Sequence, residues 1–80
     1  MEAKILAILK ELQPDYDFEE DVDFIERSYL DSFDVVTLVT ELEREFSIII
    51  SALDIVPENF VSISAICTLV RHSKKVNRGT

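Results

Sequence analysis

The sequence predicts an all-α domain: a small four-helix bundle of three main helices and one short one, with a long first loop. Three observations carry that prediction. Apolar residues recur at helical spacing in three separate stretches, near residues 5–12, 35–46 and 63–70. At 80 residues and 48% hydrophobic, the chain is one small domain with enough apolar surface to fold. No internal repeat is visible, and the one strand-like run, Ile48-Ile49-Ile50, is too short and too poorly bounded to predict a strand.

The elements follow in order. Met1 to Leu12 reads as the first helix, with Ile5, Ile8, Leu9 and Leu12 on one side and Glu2, Lys10 and Glu11 on the other. Pro14 ends it, because Gln13 before the proline is pushed out of helical geometry. Asp15 to Asp31 is an acidic connection whose apolar residues, Phe18, Val22, Phe24, Ile25, Tyr29 and Leu30, keep no sustained period. It reads as an ordered loop pinned to the core, with a turn of helix near Phe24 to Arg27; loops this long in a small domain are often functional. The second helix runs to Phe46, burying Val35, Leu38, Val39, Leu42 and Phe46. Ser47 to Val56 is a connector anchored by Ile48, Ile50, Leu53, Ile55 and Val56. Pro57-Glu58-Asn59-Phe60 reads as the short helix, with proline early in the turn. The last helix extends from Ser62 or Ser64 to Lys74 and buries Ile63, Ile66, Cys67 and Val70. Residues 1–75 are expected to form the single domain, and 76–80 a frayed tail.

Charge narrows the function. The formal net is −8, and between Glu11 and Glu58 fifteen acids face only Arg27 and Arg44, a local net of −13. Such a segment argues against nucleic acid as a partner, since its phosphates demand Lys and Arg at the contact. Basic protein surfaces suit such a segment, although solvation alone accounts for any single carboxylate. One cysteine permits no internal disulfide, which fits a reducing cytoplasm. No signal peptide or membrane span is recognisable, the first apolar run being stopped by Lys10. A monomer is expected.

The stretch that invites chemistry is Asp31-Ser32-Phe33-Asp34. Asp31 and Asp34 make an imperfect capping box, with Asp in both roles, and so present the Ser32 hydroxyl at a helix N-terminus. Spare backbone N–H groups and the positive end of the helix dipole favour a phosphate there. Ser32 has no His or Lys neighbour in sequence to activate it, so it is not a self-sufficient nucleophile. The tetrad alone is also consistent with a plain helix cap.

Its surroundings add more. A one-domain acidic chain with a long first loop, D-S-F-D opening a helix that ends Glu43-Arg44-Glu45-Phe46, then Phe46-x-Ile48-x-Ile50 and Pro57-Glu58-Asn59-Phe60-x-Ser62-Ile63, resembles the acyl carrier proteins. The likeness covers about Phe18 to Arg71 and is similar to freestanding carriers of the D-alanyl and peptidyl kind. It implies a carrier without catalysis of its own. Ser32 would receive 4'-phosphopantetheine from coenzyme A through a phosphopantetheinyl transferase, Asp31 helping to present it to the transferase's metal. The arm's thiol would then carry an acyl or aminoacyl group as a thioester, loaded by an AMP-forming ligase or used by synthase enzymes with basic docking surfaces. Fatty acid, polyketide and nonribosomal peptide biosynthesis all use such carriers. The same resemblance gives Phe33, Asp34, Val36, Thr37, Thr40 and Glu43 to partner binding. By its helical angle Val36 fits the edge of the core equally well. Two positions depart from the family pattern: Arg44 stands where fatty-acid carriers usually have an acid, and Ser28 to Leu30 lacks the Gly often found before the motif.

Two other readings compete. Acids at Asp15, Asp17, Glu19, Asp21, Asp23 and Glu26 approximate an EF-hand calcium loop, but Glu20 occupies the sixth position, where that loop needs Gly. A generic helical interaction module would use Ser32 only as a cap. An enzyme built on Cys67 and His72 is disfavoured, because five residues separate them on one helix. This chain would need no metal.

Overall fold

The computed structural model describes residues 1–76. Helix α1 spans Glu2–Leu12, α2 Ser32–Phe46 and α3 Ile63–His72, with 3-10 turns at Ala52–Asp54 and Pro57–Phe60. The domain is therefore mostly helical, as the three apolar periods predict, and the short helix is the 3-10 turn at Pro57. Its core gathers Ile5 and Leu9 from α1, Leu38 and Leu42 from α2, and Ile66 and Val70 from α3, all buried. Phe18, Phe24 and Phe60 are fully buried beside them. At roughly 1.5–3 kcal/mol for each such side chain, these residues dominate the stability of so small a domain.

The long loop is ordered by its aromatics. Phe18 meets Phe24 edge-on at 5.1 Å, and Tyr16 stacks on Tyr29 at 4.4 Å. The Phe24 amide donates to the Val61 carbonyl at 2.9 Å, while the Phe24 carbonyl accepts from Tyr29 at 2.8 Å and Leu30 at 3.2 Å. The expected helical turn is present as one i to i+4 bond, from the Arg27 amide to the Asp23 carbonyl at 2.9 Å.

Ile48–Ile49 pairs antiparallel with Lys74–Lys75, forming a two-stranded ribbon β1–β2 in the register Ile48 with Lys75 and Ile49 with Lys74. Two-residue strands leave no alternation in sequence, and their partners lie far apart along the chain. For the same reason α3 stops at His72, two residues before the predicted Lys74: Ser73 takes an extended backbone, and its hydroxyl donates to the Leu69 carbonyl at 2.8 Å. Of the expected tail, the Val76 amide donates to the Ser47 carbonyl at 2.7 Å, and residues 77–80 lie outside the described residues.

The connector departs from expectation at Leu53, which is 88% exposed rather than an anchor, and at Ile55, also exposed. A three-residue 3-10 turn turns Leu53 outward, and too few residues are involved to establish an apolar face. Ile48 and Ile50 are buried as predicted, and Leu69 joins them on α3.

Candidate functional site

The site is the N-terminus of α2. Asp31 is its N-cap, with an extended backbone, and its carboxylate Oδ1 accepts from the Asp34 amide at 2.8 Å. Asp34 returns the bond, Oδ2 accepting from the Asp31 amide at 3.2 Å, so the capping box is complete. The same Oδ2 also accepts from Gln13 Nε2 at 3.0 Å, which ties the end of α1 to the start of α2. Ser32 thus occupies the first helical position, exposed, on a backbone held from both sides. Asp31 occupies the Asp34 amide through its side chain and the Val35 amide through its carbonyl. The Ser32 and Phe33 amides are the ones this geometry leaves over at the positive end of the helix.

Beside the hydroxyl lies an apolar groove of about 440 Å³. Its walls come from the loop (Ile25, Leu30), from α2 (Val35, Val36) and from the connector (Ile55, Val56). An exposed primary hydroxyl, two spare amides and an adjoining apolar groove fit a phosphodiester followed by a largely uncharged arm. Ser28 also lines the groove and adopts a left-handed φ of 59°. The loop therefore makes the turn that glycine would make most readily, with a serine in its place.

The residues given to partner binding divide into two sets. Phe33 is 76% and Val36 61% exposed, so Val36 belongs to the surface and not to the core edge. Thr40 is exposed and Thr37 half-buried; their hydroxyls donate to the Val36 and Phe33 carbonyls at 3.3 and 3.2 Å. Asp34, by contrast, is only 7% exposed, and both ends of the capping box and Gln13 engage it. That burial corrects its placement on the outward surface. Glu43 is half-buried and accepts from the Ile50 amide at 2.9 Å. Sequence reasoning missed Ile55 as an exposed residue lining the groove, because its apolar character pointed to the core.

The acidic loop does not gather into an ion site. Asp17 Oδ1 accepts from the Glu19 amide, and Asp23 Oδ1 from the Ile25 and Glu26 amides, so these carboxylates shape turns. Glu19 pairs with Lys10, and Glu20 accepts from the Tyr29 hydroxyl, a bond that raises the Tyr29 pKa above its ordinary value. Among the described residues no three His, Cys, Asp or Glu side chains are placed to hold a metal. Cys67 is buried in α3, which pushes its thiol pKa up, whereas His72 is exposed at the end of that helix. Among the described residues no helix is long and apolar enough to cross a membrane.

The fold is thus a mostly helical domain that presents a capped, exposed serine at the head of its second helix. The family model for the phosphopantetheine attachment site matches residues 3–70, and the chain belongs to that family. It is a non-catalytic carrier whose prosthetic group is covalent 4'-phosphopantetheine, and phosphopantetheinyl transferases modify such domains. No curated protein and no solved structure matches the chain.

Proposed function

We propose that Ser32 is the residue that takes the phosphopantetheine, and that the loaded chain passes an acyl or aminoacyl thioester between partner enzymes. The observation that carries the assignment is the completed Asp31–Asp34 capping box, which leaves an exposed hydroxyl and two unclaimed amides at one helix end. The hydroxyl oxygen would carry the ester bond, and the Ser32 and Phe33 amides would donate to the phosphate oxygens. Bound there, the group supplies a terminal thiol for thioester chemistry, and the protein supplies position and recognition.

Phe33, Val36, Thr37 and Thr40 form the proposed docking surface, an apolar centre within an acidic domain that suits enzymes with a basic rim. Asp31 helps to present Ser32 to the transferase. The cargo is proposed to come from an AMP-forming ligase, as for freestanding carriers of the D-alanyl and peptidyl kind, on the D-S-F-D and P-E-N-F likeness. Arg44 argues against a standard fatty-acid synthase set of partners, because it puts a cation in the last turn of α2 where fatty-acid carriers usually have an acid. Such a system belongs in a reducing cytoplasm, in keeping with the single cysteine.

Incubation with coenzyme A and a broad-specificity transferase tests the assignment by intact mass. One added phosphopantetheine is expected on the wild type and none on Ser32→Ala. Equal gain by both would defeat it.

A further inference from the structure

Glu43 has a hydrogen-bond partner inside the domain. It lies one turn before the end of α2, half-buried, and its Oε2 accepts from the Ile50 amide at 2.9 Å. Between the two residues the chain leaves the helix through Ser47, whose left-handed φ of 53° reverses its course. The backbone of Ile48 and Ile49 is then held on one side by Lys75 and Lys74, and the Ser47 carbonyl accepts from Val76. Ile50 lies one residue past that ribbon, so its amide takes its partner from the Glu43 side chain instead. Directly beyond come Ser51, which caps the 3-10 turn through the Leu53 amide at 3.2 Å, and Ile55 and Val56, which wall the groove beside Ser32.

We propose that Glu43 is a positioning residue: through the Ile50 amide it fixes the connector that forms one wall of the groove beside the attachment serine. The proposal rests on Ser32 being the modified residue. It assigns Glu43 to hydrogen-bond acceptance and reach, with its negative charge incidental. A docking role would require the reverse.

Three variants of the full chain separate the two roles. Glu43→Gln keeps an acceptor of the same length and discards the charge. Glu43→Asp keeps the charge but falls a methylene short, and Glu43→Ala lacks both. Amide hydrogen exchange by NMR is read over Ile50 to Val56. Glu43→Asp and Glu43→Ala are expected to speed exchange of the Ile50 amide about tenfold, the loss of one part-buried hydrogen bond, with Glu43→Gln within about twofold of wild type. Transferase kinetics with coenzyme A should follow the same grouping, KM for the carrier rising severalfold in the Asp and Ala variants while kcat holds. Restoration by Gln marks an acceptor. Should Glu43→Ala not fold, the Asp and Gln pair gives the same contrast.

Impairment by Gln with normal behaviour of Asp would overturn the proposal and make Glu43 a charge contact. So would unchanged exchange in the Asp variant, or faster exchange with no change in KM. If wild-type protein takes up no phosphopantetheine at all, the attachment assignment fails, while the exchange pattern still decides whether Glu43 holds the connector.

Discussion

Phe33 leaves three quarters of its surface in water one residue after the proposed attachment serine, 76% by area. A phenyl ring held there by a capped helix is a rigid apolar contact that requires little further ordering on docking. Phe33→Ala is expected to lower loading by the cognate ligase about tenfold while leaving Ser32 open to modification. Unchanged loading kinetics would remove Phe33 from the interface. Tyr29 lies two residues before the N-cap of α2, stacked on Tyr16 and donating its hydroxyl to Glu20. That bond raises its folded pKa above the unfolded value near 10, so its stabilisation is complete below pH ~10 and is lost as pH climbs through the higher folded value. Alkaline unfolding should therefore be shallower in Tyr29→Phe than in wild type. Identical profiles would show that the Glu20 bond contributes nothing.

Among the elements, α2 was the most legible in sequence, because its cap, its apolar period and its length are all local. Asp31, Asp34 and the buried face Leu38, Val39 and Leu42 stand as the pattern predicts. What stayed hidden depends on distant partners. Gln13 reaching Asp34 across 21 residues left no periodic trace, and neither did the pairing of Ile48–Ile49 with Lys74–Lys75. Leu53 misled because composition alone cannot tell an apolar anchor from an apolar display. The end of α2 yields a prediction of its own. Ser47 caps it at φ 53° and ψ 55°, a conformation that costs a residue with a Cβ about 1 kcal/mol. Ser47→Gly retains the backbone bond to Val76 and should raise the melting temperature by about 4 °C. A lower melting temperature would mean that the serine side chain, and not the backbone, determines this turn.

At the scale of the molecule, charge is the unbalanced quantity. Among the described residues the −13 segment is relieved by few ion pairs: Lys4–Glu45 at 3.7 Å, Lys10–Glu19 at 3.6 Å and Arg44–Glu41 at 3.4 Å, all well exposed and each contributing little. Salt near 1 M, where the Debye length falls to about 3 Å, should therefore raise the melting temperature by several degrees. Indifference to ionic strength would show that the repulsion is already dissipated in solvent. The acidic field and the exposed apolar residues near Ser32 are proposed to serve one purpose, the recruitment of enzymes to a hydroxyl that has no activating base beside it in sequence. The most direct test of that centre is the location of the prosthetic group. Trypsin releases Ser28 to Arg44 as one peptide carrying two serines, and fragment ions of the modified peptide distinguish them. Phosphopantetheine is expected on Ser32. Its appearance on Ser28, or on any other residue, would contradict it.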